Sequence, residues 1–151
     1  SCGEDSKIIL YDISQETPVH ILKRSCPINS IDFNIINENI FISGNDDHNI
    51  DLFDLRKFEF SLYSFKNHSD KIIGVKWNKR IPNLFASFST DSHIDIWDVS
   101  KIGQKRLENS EGPNELIFRH GGHTSDVNDL DWNPYEDLLM ASVCDDNSLH
   151  S

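Results

Sequence analysis

Three segments of the chain superimpose on one template, and this repeat limits the possible folds more than any other feature. In each, turn residues lead to an Asp, then to an alternating apolar stretch, then to a second Asp: GEDSKIILYDI from Gly3, GNDDHNIDLFDL from Gly44 and STDSHIDIWDV from Ser89. The paired Asp residues stand seven apart (Asp5 and Asp12, Asp47 and Asp54, Asp91 and Asp98), and successive units are offset by 42 and 44 residues. A second marker keeps step, a short run ending in an aromatic and an Asn: Phe33-Asn34, Trp77-Asn78 and Trp132-Asn133, spaced by 44 and then 55. The longer interval requires an insertion of 11 residues, and it falls between Ser100 and Glu115.

Within each unit the apolar runs are short, rich in Ile, Leu, Val and Phe, and separated by Asn, Asp, Ser, Gly or Pro, the pattern of short strands joined by tight turns. For the third unit the pattern predicts strands at Ile72 to Asn78, Leu84 to Ser89 and Ile94 to Val99, with an outer strand at Glu115 to His120. Alternation puts Ile94 and Ile96 on one face and Trp97 and Val99 on the other, so both faces carry apolar side chains and both need covering. Four short strands repeated every ~40–45 residues, buried on both faces, are the signature of an all-β propeller of the WD40 kind.

The resemblance to WD40 repeats is carried by Gly122-His123 and by His68, which stands 29 residues before Trp97-Asp98. The same offset from His123 places a Trp one residue past Ser151, and the chain opens on Ser-Cys-Gly-Glu-Asp without an initiator Met. Residues 1–151 are therefore expected to be a fragment of a WD40 β-propeller. That fragment has two complete four-stranded blades, a partial blade at each end, and an inserted loop at 100–115 between blades. The resemblance implies a buried hydrogen-bond network of His68, Ser87 or Ser89, Asp91 and Trp97, with His123 opening the next one. In the second unit Arg24 stands where the His belongs and Phe53 where the Trp belongs, so an incomplete network is expected there.

Chemistry is sparse. The Asp residues occupy turn positions, and no Ser/His/Asp or Cys/His arrangement has the local context of a nucleophile, so no catalytic residue is assigned and an enzyme is not expected. His120, His123, Cys144 and His150 do not fall at a zinc spacing, and Cys2, Cys26 and Cys144 share no C-x-x-C, so neither metal nor cofactor is implied. No apolar run reaches the ~18 residues of a spanning helix, which argues against a membrane partner. With 14 Lys and Arg against 25 Asp and Glu, the net charge of −11 repels nucleic-acid backbones and suits a basic partner. Lys76, Lys79 and Arg80 form a small basic patch, read as a solvated loop.

The string GPNELIFRHGGHT after an acidic stretch, with DVSK before it, DLDWNP after it and FDLRKF at Phe53, resembles the histone-binding WD40 proteins of the retinoblastoma-binding type. This is the small-subunit family of chromatin assembly factor 1, shared with deacetylase, acetyltransferase and Polycomb-type complexes. The resemblance implies a nuclear, non-catalytic histone chaperone and scaffold subunit whose insertion helps to hold the first helix of a core histone. It puts paired carboxylates at Glu108 and Glu111, a turn at Gly112, Pro113 and Asn114, and an apolar floor at Leu116, Ile117 and Phe118. Carboxylates at a rim steer a basic helix and an aromatic floor supplies binding energy, so the assignment is physically coherent. Arg119 stands where the resemblance expects an apolar residue, so replacing it by Ile is expected to strengthen binding. A different class of function is carried by Phe53-Asp54-Leu55-Arg56, which fits the ending of WD40 substrate adaptors of cullin ubiquitin ligases, with Arg56 as the linker contact. A generic WD40 interaction scaffold is the third possibility.

Overall fold

The structure is a computed structural model that describes residues 5–11, 14, 18–57, 59–103, 113–144 and 149–150. The strands run in chain order and close into four antiparallel sheets. The first blade pairs β1 (Lys7–Tyr11) with β2 (Pro18–Lys23). The second orders β3 (Ile28–Phe33), β4 (Ile40–Asn45), β5 (Asn49–Asp54) and β6 (Tyr63–Lys66) as neighbours. The third does the same with β7 (Ile72–Trp77), β8 (Leu84–Ser89), β9 (Ile94–Asp98) and β10 (Leu116–His120). The fourth contains β11 (Val127–Trp132), β12 (Met140–Cys144) and β13 (Leu149–His150). The strands expected in the third unit are present to within a residue at each end. One placement needs correcting: the segment from Ser100 to Glu115 leaves β9 and enters β10 of the same sheet, so it joins two strands of one blade and not one blade to the next.

The two Asp residues of the repeat have separate local tasks. The first sits in the hairpin turn and accepts from a backbone N–H two residues on: Lys7 N to Asp5 at 3.3 Å, Asn49 N to Asp47 at 3.2 Å and His93 N to Asp91 at 3.0 Å. The residue between them takes left-handed backbone in all three blades, with φ of 60° at Ser6, 71° at His48 and 66° at Ser92. In the second and third blades the second Asp ends the third strand and caps the single helical turn that follows it. Arg56 N donates to Asp54 and Ser100 N to Asp98, both at 2.9 Å.

Three apolar clusters lie between successive blades. Ile8, Ile28, Phe41 and Phe53 fill the first seam, Ile42, Ile50, Phe65, Phe85 and Trp97 the second, and Phe88, Ile94, Ile96, Val127 and Trp132 the third. Ile94 and Ile96 thus face one neighbour while Trp97, with Val99 packed beside it, faces the other, as the alternation requires. A strand that is apolar on both faces has no solvated side to present, and stacking blade on blade is how this sequence buries it.

The aromatic-Asn marker stitches those seams. Trp77 Nε1 donates to Asp32 O at 3.2 Å, and Trp132 Nε1, one repeat later, donates to Lys76 O at 3.1 Å. The Asn side chain reaches the other way: Asn34 Nδ2 donates to Pro82 O at 2.7 Å and Asn78 Nδ2 to Asp137 O at 2.6 Å. The same Asn oxygen accepts the N–H groups of its own turn, from Ile36 and Asn37 at Asn34 and from Arg80 and Ile81 at Asn78. One residue type therefore satisfies a turn and ties it to the next blade, which is why it recurs at this position.

Candidate functional site: the third blade and its outer strand

The third blade contains a complete polar network. Trp97 Nε1 donates to Ser87 Oγ at 2.9 Å, Ser87 Oγ stands 2.7 Å from His68 Nε2, and His68 Nδ1 lies 2.9 Å from Asp91 Oδ2. A carboxylate only accepts, so Nδ1 carries the proton toward Asp91 and Nε2 accepts from the Ser87 hydroxyl, which in turn accepts from the indole. Ser87 is the network serine; Ser89 instead donates to Asp70 O at 3.1 Å and to Lys71 O at 2.7 Å. Burial pushes the Asp91 carboxyl up. The opposing hydrogen bond and attraction from His68, with the N–H groups of Ser69 and His93, prevail and hold it well below the usual carboxylate range. In the fourth blade His123 Nε2 meets Ser142 Oγ at 2.8 Å, the same contact one repeat later, and the His120 ring stands edge-on to His123 at 5.7 Å.

The second blade is wired differently. Arg24 donates to Asp51 Oδ2, Asn45 Nδ2 donates to the same oxygen at 3.0 Å, Ser64 Oγ donates to Asp51 Oδ1, and Ser43 Oγ donates to Asn45 Oδ1 at 3.0 Å. The Arg24 guanidinium lies 5.4 Å from the centre of the Phe53 ring, the residue that replaces Trp. The network expected to be incomplete is a substitute network centred on a different Asp.

That Asp recurs in the third blade. Asp95 is fully buried and receives a two-pronged hydrogen bond from Arg119, Nε to Oδ1 at 2.7 Å and Nη2 to Oδ2 at 3.0 Å. Asn67 Nδ2 adds a third at 3.0 Å, and Arg119 Nη2 also donates to Asn67 O at 3.1 Å. Asp51 and Asp95 stand 44 residues apart, in NIDLFD and HIDIWD, so the repeat itself carries the signal that finds them.

Of the residues assigned to helix binding, Glu108, Glu111 and Gly112 lie outside the described residues. Pro113 and Asn114 are half-buried at the start of the return into β10. Leu116 packs into the seam between the second and third blades, whereas Ile117 is 41% and Phe118 54% exposed. Glu115, buried, accepts a hydrogen bond from Tyr63 of the second blade's outer strand, a contact between distant residues that no motif announces. Arg56 is two-thirds exposed and folds back on its own turn, donating from Nε to Asp54 at 3.0 and 3.2 Å and from Nη2 at 2.7 Å. These bonds hold the Asp54 carboxyl down to about 2 and raise the guanidinium. The basic patch is paired with the fourth blade: Lys76 with Asp129 at 3.5 Å, Lys79 with Asp131 at 3.1 Å and Arg80 with Asp137 at 2.7 Å. Among the described residues, no three His, Cys, Asp or Glu side chains gather as a metal site would require.

Known proteins align with this arrangement along nearly the whole chain. "Histone acetyltransferase type B subunit 2" of Debaryomyces hansenii is 32% identical across 99% of the chain and 39% of its own length. The protein of the same name from Candida glabrata is 28% identical across 97% of the chain and 36% of its length. "WD-40 repeat-containing protein MSI3" of Arabidopsis thaliana is 32% identical across 99% and 36%. The chain thus spans less than two fifths of the length of these relatives. The family described as "WD domain, G-beta repeat" matches residues 60–98 and 114–150, just over half of the chain. With those repeats matched and their His, Ser, Asp and Trp side chains joined in the third blade, the chain belongs to the WD40 repeat family.

Proposed function

We propose that this chain is part of a nuclear, non-catalytic WD40 subunit that binds core histones within chromatin-assembling and chromatin-modifying complexes. The observation that carries the reading is the outer strand of the third blade, where Ile117 and Phe118 stand exposed next to the single insertion in an otherwise regular repeat. Two relatives aligned over nearly all of the chain are named as subunits of a histone acetyltransferase, which supports the histone as partner and the subunit role. Net charge points the same way, since a chain of −11 attracts a basic helix. In this reading residues 100–115 form the helix-binding loop, Glu108 and Glu111 steer from its rim, Gly112, Pro113 and Asn114 turn the chain, and Phe118 supplies the floor, while Leu116, expected beside it, is taken up by the seam with the second blade. No observation draws Arg56 toward a ligase linker, because its guanidinium is engaged by Asp54.

The test is titration of the full-length protein with a synthetic peptide of the first helix of a core histone at two salt concentrations. Phe118→Ala is expected to lose on the order of 2 kcal/mol of binding free energy, as buried aromatic anchors do. Glu108→Lys with Glu111→Lys should slow association at low salt and matter less at high salt. Unchanged affinity in both variants would remove the helix site from this loop.

A further inference from the structure

We infer that Arg119 is a positioning residue for the helix-binding floor: its fork on buried Asp95 locks the β10 register downstream of a bulge, and that bulge turns Phe118 outward. This rests on the histone-helix reading for its functional meaning, though not for its geometry.

β10 pairs with β9 through Leu116 opposite Trp97, then Phe118 opposite Ile96, Arg119 opposite Asp95 and His120 opposite Ile94. Two residues of β10 separate Leu116 from Phe118 in register where β9 advances by one, so Ile117 is an extra residue in the ladder. Residues paired across a ladder share a face, and residues two apart on a regular strand share one too. A regular β10 would therefore place Phe118 beside Leu116, in the seam with the second blade. With Ile117 inserted, Leu116 shares the face of Trp97 and packs into that seam, while Phe118 shares the face of Ile96, which belongs to the cluster on the fourth-blade side. The outer strand of the first blade, β2, makes the same shift, with Pro18 opposite Tyr11 and His20 opposite Leu10, and has Ile21 opposite Ile9 where the third blade has Arg119 opposite Asp95. β6, the outer strand of the second blade, pairs with β5 in step from Asn49 to Leu52, so the bulge recurs among outer strands and what the third blade adds to it is the fork on Asp95.

A bulge leaves its extra residue unpaired, and a one-residue slip would restore a regular ladder while moving every later side chain to the other face. Two residues past the bulge, the Arg119 guanidinium is bound at both ends to a carboxylate that has no solvent access. Slipping the strand would strip Asp95 of both charge-assisted hydrogen bonds, and a buried carboxylate left short of partners is costly. The fork thus holds the bulged register against the regular one. It also assigns Arg119 a role other than contact, since the group that could touch a ligand is turned onto Asp95. Replacing Arg119 by Ile should on this account weaken helix binding, contrary to what its departure from the expected apolar residue suggests.

The test uses the full-length protein with Arg119→Ile and the milder Arg119→Lys, which keeps the charge and loses the fork. Amide hydrogen exchange read separately over residues 116–120 is expected to quicken at least tenfold in Arg119→Ile with β7, β8 and β9 unchanged, and to recover partly in Arg119→Lys. Affinity for the core-histone helix peptide is expected to fall about tenfold in Arg119→Ile and less in Arg119→Lys. Unchanged exchange over 116–120, exchange that quickens equally in all four strands, or helix binding as tight as the parent in Arg119→Ile would each overturn the inference. Failure of the parent protein to bind the peptide would defeat the histone reading instead, and the exchange measurement would still decide whether Arg119 sets the register.

Discussion

The second and third blades carry the same strands in the same order, yet each secures its buried Asp by a different route. In the third blade His68 occupies the loop before the inner strand, and an arginine reaches Asp95 from the outer strand. In the second blade the arginine is in the loop, as Arg24, and the outer strand contributes Ser64. Ser64 lies opposite Asp51 as Arg119 lies opposite Asp95, so the two blades have exchanged which element supplies the cation. The lesson is that the repeat keeps a requirement, a buried carboxylate in need of donors, more strictly than it keeps the residues that meet it.

The largest effect should come from forcing one blade toward the other at the Trp position. Trp97→Ala is expected to cost about 4 kcal/mol in urea unfolding of the full-length protein, from loss of a fully buried aromatic. Trp97→Phe, which gives the third blade the residue that the second already uses, should cost about 1–2 kcal/mol, mostly from the hydrogen bond lost at Ser87. If Trp97→Phe proved neutral, the polar network would not be what separates the blades.

Acid should sharpen the contrast between a network carboxylate and a seam carboxylate. Asp91 has its pKa lowered from 3.8, so the stability it contributes is fully present above that value and is lost as pH falls from about 4 through the folded pKa. Asp32, which accepts from Trp77 N at 2.8 Å across the seam, is shifted the other way. Burial raises its pKa against the pull of the Trp77 and Phe33 N–H groups and of Lys76 and Lys79. Its ionised form therefore costs stability, and the cost sets in as pH rises from 3.8 through the folded pKa. Asp91→Asn should destabilise the protein at neutral pH and flatten the loss below about pH 4. Asp32→Asn, whose amide oxygen can still accept from Trp77, should be neutral or stabilising at about pH 7. Chemical denaturation across roughly pH 2 to 7 checks both, and equal responses would show that the two sites are not distinct.

The smallest effects lie in the seams. Between the second and third blades, Ser30 Oγ and Asp32 Oδ2 accept the N–H groups of Val75 and Trp77. One repeat later those acceptors are replaced by Gly74 and Lys76, neither of which can accept through its side chain. Leu130 and Trp132 turn to Asp129 and Asp131 of their own strand, which also pair with Lys76 and Lys79. These pairs are well exposed, so Lys79→Ala should cost less than about 1 kcal/mol, and less again in high salt, whereas Ser30→Ala should be insensitive to salt. Equal salt dependence in the two variants would show that the seams are held alike.

Much of the third blade is legible in the residues alone. The repeat locates its strands to within a residue, because alternation and turn residues are local consequences of strand geometry. It also locates His68, Asp91 and Trp97, and offers Ser87 or Ser89 for the remaining place. The choice between the two serines depends on which one faces the indole, a matter of packing. The exposure of Phe118 is not legible, since a one-residue bulge is invisible in composition and changes which seam a side chain faces. Nor is the hydrogen bond from Tyr63 to Glu115, which joins residues 52 apart in the chain.

The sequence by itself therefore determined the architecture: short strands, two apolar faces, an Asp at each turn and an Asn at each seam recur at a period that only stacked blades can satisfy. The tertiary structure alone decided what its irregular residues do. Arg24, Arg119 and Lys76 carry the same charge in the sequence, yet one meets a buried carboxylate from a loop, one meets another from an outer strand, and one pairs at the surface with the next blade. The physical reason is that strand periodicity is a property of neighbouring residues. The partner of a long charged side chain is set by which distant elements the stacking brings within about 3 Å of its tip.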